Sequence, residues 1–193
     1  MNATAVSTPA EKSRAAAAAA LTVKTEVRAV MVYDFVESPV GRLTLAADAA
    51  GLRHIAFELG RHPLWIGDDW CRDPSAFGAA REQLDAYFAG TLQQFDLALA
   101  PQGSEFQLGV WAQLRRIPYG TTISYGELAQ RVGDASAARA VGSANGRNPL
   151  PIVVPCHRVV GADGSLTGFG GGIATKKFLL EHEQKYATFA LTP

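Results

Sequence analysis

The sequence contains little cysteine, no long apolar run and no excess of charge of either sign. Its two cysteines, Cys71 and Cys156, are too few for a disulfide-stapled scaffold, and they do not cluster with histidines as structural zinc ligands do. We therefore expect reduced thiols, a cytoplasmic protein and no metal site. No apolar run approaches the ~18 residues that cross a bilayer, so the sequence predicts no membrane-spanning segment.

The balanced charge is unevenly distributed along the chain. The 18 basic and 18 acidic side chains cancel, but residues 1–100 hold nine basic and twelve acidic groups, whereas residues 101–193 hold nine and six. The two parts therefore carry net charges of −3 and +3. This modest positive charge does not establish a nucleic-acid partner, but it is compatible with a few local phosphate contacts.

The first hundred residues indicate a tail followed by a small α/β domain. Residues 1–28 are rich in Ala, Ser and Thr, and Lys24 and Glu26 interrupt their apolar stretch, which favours a flexible tail over a secretion signal. In residues 29–100, short strand-like runs at 30–35, 43–46 and 55–57 predict an antiparallel meander, followed by a loop at 60–73. Asp73 or Ser75 is expected to cap a helix that ends near Phe88, and 95–99 to form a further strand.

Residues 104–187 predict a helical domain, and 188–193 a second short tail. Ser104 can cap a helix at 105–116, whose inward side carries Phe106, Val110, Trp111 and Leu114. Ser124, with Glu127 as its capping-box partner, begins a helix at 125–132, and Ser136 begins another at 137–145. Two short helices joined by a tight turn fit the helix-turn-helix plan. The second helix consists almost entirely of small residues, which allow close approach to another helix or to a nucleic acid.

Residues 148–160 contain the strongest candidate for chemistry. Three prolines and several β-branched residues predict a stiff, extended segment that fixes Cys156 in place, with His157 and Arg158 directly after it. A thiol becomes a useful nucleophile where positive charge or hydrogen bonds favour the thiolate. A buried core cysteine is the alternative, and the following His-Arg pair argues against it. Spacing alone does not show whether His157 contacts Cys156.

Several motifs occur in a recognisable order around this cysteine: Ile123-Ser124-Tyr125, Ala138-Arg139-Ala140-Val141-Gly142, Asn148-Pro149, Pro155-Cys156-His157-Arg158-Val159, Gly171-Gly172 and Leu179-Leu180-Glu181-His182-Glu183. They resemble the motifs of the O6-alkylguanine-DNA alkyltransferases, from about Phe106 to Glu183. Residues 29–100 resemble that family only in size and coarse pattern. The resemblance implies a two-domain α/β protein, in which a ribonuclease-H-like N-terminal domain with an antiparallel sheet precedes a helix-turn-helix, winged-helix-like C-terminal domain.

The resemblance also implies a chemistry for five residues. Cys156 would accept an alkyl group as a thiolate and keep it, so that one molecule acts once. His157 would be the base, through a bridging water, and Glu183 would hold its imidazole in the required tautomer. Asn148 would brace the cysteine segment, and Tyr125 would donate a proton or hydrogen bond to the departing guanine. No cofactor is implied.

The implied partner is double-stranded DNA that contains O6-alkylguanine, with O4-alkylthymine as a second substrate. Helix 137–145 would lie in the minor groove, and Arg139 would fill the gap left by the flipped-out nucleotide. Further DNA contacts are implied for Ser124, Ala138, Ala140, Gly142 and Arg147, and a substrate pocket for Pro151, Val159, Phe169, Gly170 and Gly171. Some relatives have Tyr at the position of Phe169 and a hydroxyl at that of Gly170, so side-chain contacts from these two positions are not carried over. We expect a monomer in solution, with room for several molecules along DNA.

Three other functions are compatible with parts of the sequence. A damage sensor that binds the lesion without repairing it would not need Cys156. A cysteine hydrolase could use Cys156, His157 and Glu183, but the sequence indicates no oxyanion hole. A transcriptional regulator would read the major groove with longer polar side chains than helix 137–145 offers.

Overall fold

The structure, a computed structural model, describes residues 30–189, so the tail predicted at 1–28 lies outside the described residues. Its first part is built on three antiparallel strands, β1 (Val32–Val36), β2 (Leu43–Asp48) and β3 (Gly51–Phe57). Gly41, with a φ of 91°, closes the turn between β1 and β2, because its backbone lies in the left-handed region that glycine adopts without strain. The predicted meander is confirmed.

A fourth strand lies within the stretch predicted as a loop. β4 (Cys71–Arg72) pairs in parallel with β1, and the sheet order is β3-β2-β1-β4, so β3 is an edge strand. The prediction of a loop throughout 60–73 was therefore wrong at its end, because two residues carry no detectable periodicity. Cys71 itself is exposed.

The further strand predicted at 95–99 is reduced to one bridge. Leu99 pairs with Leu52, supported by hydrogen bonds from the Leu52 amide to the Ala98 carbonyl (2.8 Å) and from the Ala100 amide to the Leu52 carbonyl (2.9 Å). Three residues further along β3, the Ile55 amide donates instead to the carbonyl of Pro149 (2.8 Å). At Ile55 the sheet edge is therefore occupied by the second half of the chain and not by a longer ladder with residues 95–99.

One helix packs on this sheet. Asp73 begins a 3-10 turn, Pro74–Phe77, by accepting a hydrogen bond from the Ser75 amide, and α1 (Gly78–Phe88) follows. Of the predicted inward residues Phe77 and Leu84 are buried and Phe88 is half-buried, whereas the sequence did not single out Tyr87, which is also buried.

The second half is helical. α2 (Glu105–Leu114) begins with a capping box between Ser104 and Gln107 and buries Val110, Trp111 and Leu114. Phe106, predicted to face inward, is 42% exposed, because the buried side of this helix begins one turn later. α5 (Gly172–Phe189) closes the described chain and passes residue 187, where the second domain was predicted to end. None of the described helices is long and apolar enough to span a membrane.

The predicted helix pair is present between these two helices. β5 (Ile123–Ser124) leads into α3 (Tyr125–Arg131), where Ser124 and Glu127 form the predicted capping box. α4 (Ala138–Gly146) is preceded by a 3-10 turn, Ala135–Ala137. That turn is capped by Asp134 rather than by Ser136, because the Asp134 carboxylate accepts from both the amide and the hydroxyl of Ser136.

The segment between α4 and the cysteine is turned rather than extended, so this prediction was wrong. The Val154 amide donates to the Leu150 carbonyl (2.8 Å), and Ile152 has a φ of 75°. Proline fixes φ but leaves ψ free, so three prolines do not impose an extended chain. The left-handed conformation is unfavourable for a β-branched residue and is retained here by complete packing of the Ile152 side chain. A 3-10 turn, Cys156–Arg158, and β6 (Val159–Val160), parallel to β5, complete this region.

Candidate active site

Cys156 lies at the start of the 3-10 turn and is 4% exposed. Its amide donates to the Val154 carbonyl (2.8 Å), and its carbonyl accepts from the Asn145 side chain (3.3 Å). His157 and Arg158 are also buried, so the expectation that a His-Arg pair would exclude a buried position was wrong. Burial of these polar groups is possible because each of them has a partner in the protein interior.

The thiol of Cys156 lies in an environment that favours its protonated form. Burial raises its pKa to about 11, although a hydrogen bond from Asn148 and the charge of Lys176 act in the opposite direction. A thiol whose pKa is raised becomes a nucleophile when a base removes its proton, which is the role that the resemblance implies for His157. A base must therefore lie close to the thiol.

His157 has the properties of that base. Its Nε2 lies 2.8 Å from Oε1 of Glu183, and burial lowers the pKa of the imidazole below its ordinary value of 6.5. A neutral ring that donates its Nε2–H to a carboxylate carries its lone pair on Nδ1. Nδ1 is buried and has no hydrogen-bond partner within residues 30–189. The contact with Glu183 therefore selects the tautomer that can accept a proton.

Glu183 is 0% exposed. Besides its contact with His157, its carboxylate accepts four hydrogen bonds. Arg158 donates twice, from Nε (2.8 Å) and Nη2 (2.9 Å), and the Tyr87 hydroxyl (2.9 Å) and the Gly120 amide (3.1 Å) donate once each. Burial alone would raise the pKa of the carboxyl, but the bonds from His157 and Arg158 lower it to about 2. Glu183 is thus a fixed negative charge that orients His157.

Sequence reasoning missed the partners of Glu183. Arg158 was noted only as a neighbour of the cysteine, and Tyr87 and Gly120 were not considered. Their signal is weak, because Tyr87 is separated from Glu183 by 96 positions and its role depends on the packing of α1 against α5. Arg158 could have been found, since a buried arginine within the apolar run 150–160 needs an acidic partner.

Asn148 holds the turned segment closed. Its side-chain amide donates to the Val154 carbonyl (2.7 Å), and its oxygen accepts from the Leu150 amide (3.0 Å). The same side chain reaches the thiol of Cys156. Its position therefore agrees with the predicted bracing role.

Lys176 is a further buried cation that the sequence did not reveal. Its Nζ donates to the carbonyls of Val159 (2.6 Å) and Thr167 (2.8 Å), and burial lowers its pKa. These bonds tie α5 both to β6 and to the loop that follows it. The Thr167 hydroxyl lies 3.5 Å from the hydroxyl of Tyr125, which places Tyr125 at the same loop.

A cavity of about 470 Å³ opens onto Cys156. Of the predicted site residues, those that line it are Arg147, Asn148, Pro151, Phe169 and Gly170. Val159 and Gly171 do not line it: Val159 is buried in β6 against β5, and Gly171 lies against the ring of Phe57. The opposite wall comes from the first half of the chain, through His54, Ile55, Ala56, Phe57, Gly60, His62, Pro63 and Leu64.

The helix pair presents a surface of small side chains beside this cavity. Arg139 and Ala140 on α4 are exposed, and Ala138 and Gly142 are half-buried. A Cβ at Gly142 would lie 3.7 Å from the Tyr125 ring, so the two helices approach closely here. Ser124 acts within the structure as the cap of α3. Within residues 30–189 no three His, Cys, Asp or Glu side chains are grouped as metal ligands.

Fold and site together define a class of protein. It is a two-domain α/β protein whose helix-turn-helix domain presents a buried cysteine to a cavity shared with the first domain, and the histidine next to it in sequence contacts a buried carboxylate. Residues 31–101 match the profile described as 6-O-methylguanine DNA methyltransferase, ribonuclease-like domain, and residues 105–185 match the DNA binding domain of the same name. The chain belongs to this methyltransferase family.

Individual relatives agree with that assignment. The methylated-DNA–protein-cysteine methyltransferase of Methanosarcina acetivorans is 50% identical over 79% of this chain and 98% of its own. The protein of the same name from Mycolicibacterium paratuberculosis is 51% identical over 83% of this chain and 96% of its own. Among solved structures, the Mycobacterium tuberculosis OGT in complex with DNA has a TM-score of 0.76 and 49% identity, and covers 80% of this chain and 94% of its own.

Proposed function

We propose that this protein repairs DNA by transferring an alkyl group from O6 of guanine to the sulfur of Cys156, irreversibly and once per molecule. Membership of the family and relatives named for methyl transfer from DNA to a protein cysteine support the general reaction. The observation that carries the proposal for this chain is the arrangement of Cys156, His157 and Glu183. Cys156 opens onto a cavity, and Glu183 fixes a neutral imidazole whose free nitrogen can accept a proton.

The proposed chemistry is a single displacement. Nδ1 of His157 takes the thiol proton, directly or through a water, and the sulfur attacks the alkyl carbon. The bond between this carbon and O6 breaks, its electron pair stays on the guanine, and Tyr125 neutralises the departing base by donating a proton or hydrogen bond. The thioether formed is stable to water, so no second step regenerates the thiol.

The substrate must reach the cavity as an extrahelical nucleotide. O6 of a stacked guanine is inaccessible to a thiol at the bottom of a cavity, so the duplex has to release the base at a cost of a few kcal/mol. The small side chains of α4 allow the helix to lie in the minor groove, with contacts from Ser124, Ala138, Ala140, Gly142 and Arg147, and the exposed Arg139 can occupy the gap in the stack. The cavity of about 470 Å³ has room for a purine and its substituent.

We also propose a second substrate, an oligomeric state and a cellular location for the protein. O4-alkylthymine presents a comparable alkyl–oxygen bond and is proposed as a second substrate. The protein is proposed to act as a monomer in the cytoplasm, with several molecules able to bind along one duplex; the two free cysteines of the described chain support the reducing compartment.

Intact-mass measurement tests the proposal. Mixed with a duplex that contains O6-methylguanine, the protein should gain one methyl group, located by peptide mapping on Cys156. Cys71→Ser is the matched control, because Cys71 is the exposed free thiol, and it should be methylated like the wild type. Binding without a gain in mass would mean a lesion sensor, and turnover of acyl esters without action on DNA would mean a hydrolase; either result would refute the proposal.

A further inference from the structure

The edge of the first domain's sheet is hydrogen-bonded to the segment that presents the cysteine. β3 is an edge strand, and the Ile55 amide on its open side donates to the Pro149 carbonyl (2.8 Å). Pro149 directly follows Asn148, whose side chain closes the turned segment. A displacement of β3 would therefore be transmitted to the backbone that leads to Cys156.

The chain that follows β3 is hydrogen-bonded to the loop 168–172 on the other side of the cavity. The Arg61 amide donates to the Gly170 carbonyl (2.8 Å), and a Cβ at Gly60 would lie 3.0 Å from the same carbonyl oxygen. The two backbones thus meet with no space for a side chain between them. The first domain holds both the cysteine segment and the loop 168–172.

Phe57, the last residue of β3, links this contact to the catalytic histidine. Its ring is 6% exposed and meets the Phe169 ring edge-on, with 5.6 Å between centroids. Phe169 in turn meets the His157 imidazole edge-on, with 6.4 Å between centroids. A continuous row of three rings therefore leads from the first domain to His157.

Gly171 shows how closely the loop fits against Phe57. A Cβ at this position would lie 2.8 Å from Cδ2 and Cε2 of the ring, well inside van der Waals contact. Gly171 does not have a positive φ, so its backbone conformation is open to any residue. Glycine is required here by the approach of the Phe57 ring alone.

From these contacts we propose that Phe57 is a positioning residue for alkyl transfer: it holds the loop 168–172 and the Phe169 ring in the place that keeps His157 and the cavity wall aligned with Cys156. The first domain thereby contributes to the reaction itself. This inference rests on the proposed function. Misplacement of reacting groups by about 1 Å can lower a rate by about a hundredfold, so a shift of the loop has a measurable effect.

The test uses substitutions at the two residues that contact each other, Phe57 and Gly171. Gly171→Ala should lower the maximal single-turnover rate of transfer to Cys156 about tenfold, because the new methyl group displaces the loop. Phe57→Ala should lower it several-fold, and the double variant should react no more slowly than Phe57→Ala, because alanine lacks the Cγ, Cδ2 and Cε2 atoms that the new methyl group would meet. Both a lesion-containing duplex and free O6-benzylguanine should show these losses, since the loop walls the cavity and does not bind DNA.

Phe77→Ala is the matched control for stability, because Phe77 is another buried phenylalanine of the first domain. It should lose stability like Phe57→Ala and keep the wild-type maximal rate. Losses that multiply in the double variant, or a Phe57→Ala protein that reacts at the wild-type rate, would overturn the inference. If instead the wild type gains no alkyl group from either substrate, the proposed function itself fails.

Discussion

At the scale of single residues, the site depends on one buried carboxylate. Glu183 keeps its charge in the interior because Arg158, Tyr87 and Gly120 donate to it, and it uses that charge to fix the tautomer of His157. A buried ion pair of this kind adds little net stability, since desolvation offsets much of the attraction. Removal of one partner alone is costly, however, because the other is left charged and unpaired in the interior.

Glu183→Gln should therefore destabilise the protein by about 3–5 kcal/mol, because Arg158 would remain as a buried cation without its counter-charge. Urea unfolding measures this loss. Glu181→Gln is the matched control on the same helix: Glu181 is exposed, its ion pair with Lys177 spans 3.7 Å, and its loss should cost no more than about 0.5 kcal/mol. Equal effects of the two substitutions would contradict the buried network.

The dependence of protein stability on pH in the acid range follows from the same carboxyl group. Its pKa is about 2 in the folded protein against an ordinary 4.5, so its contribution is complete above pH 4.5 and is lost as the pH falls towards 2. Urea midpoints of the wild type should decrease across this interval. Glu183→Gln should show a shallower decrease there, and an unchanged slope would argue against the lowered pKa.

The pH dependence of transfer tests the resting thiol. With the pKa of Cys156 at about 11 and that of His157 below 6.5, the rate with free O6-benzylguanine should be flat through neutral pH and fall only when the imidazole becomes protonated. His157→Gln should lose the plateau and react in proportion to hydroxide. A wild-type rate that rises tenfold per pH unit through neutrality would mean that His157 is not the base.

At this scale the sequence predicts the reactive group and little of what supports it. The cysteine, its histidine and the distant Glu183 follow from recognised motifs, and the contact between the last two is present. Arg158, Tyr87 and Lys176 act through contacts that link separate elements, which no local pattern encodes.

At the scale of elements, local signals predict helix starts well and the cysteine segment poorly. Ser124 with Glu127 is a self-contained capping signal, and the structure has it. The turned segment 147–155 instead depends on the Asn148 side chain bridging two backbone groups, and on Ile152 in a left-handed conformation. Both are outcomes of packing, so the prolines alone suggested the wrong shape.

The role proposed for helix α4 in DNA binding depends on its exposed Arg139. Arg139→Ala should slow repair of a lesion in duplex DNA far more than reaction with free O6-benzylguanine, because Arg139 is proposed to replace the extruded nucleotide and to have no role in the chemistry. Single-turnover rates on both substrates measure the difference. Arg116→Ala, at an exposed arginine outside the helix pair, is the control and should affect neither. Equal losses on both substrates for Arg139→Ala would remove the extrusion role.

At the scale of the whole molecule, the two domains share one site. Tyr87 of the first domain donates to Glu183, Phe57 packs on Phe169, and the edge of β3 binds Pro149. The sequence predicts each domain but not this joint, because edge strands and cavities are formed by residues that are distant along the chain. The first domain, for which the sequence indicates no specific task, forms one wall of the cavity.

In the proposed reaction, the sulfur of Cys156 captures an alkyl group and does not release it. Titration of the protein with a large excess of duplex that contains O6-methylguanine measures this directly, as moles of guanine restored per mole of protein. We expect restoration to stop at one, with Cys156→Ser restoring none. Continued restoration beyond one lesion per molecule would show that the sulfur releases the alkyl group, and any restoration by Cys156→Ser would show that Cys156 is not its acceptor.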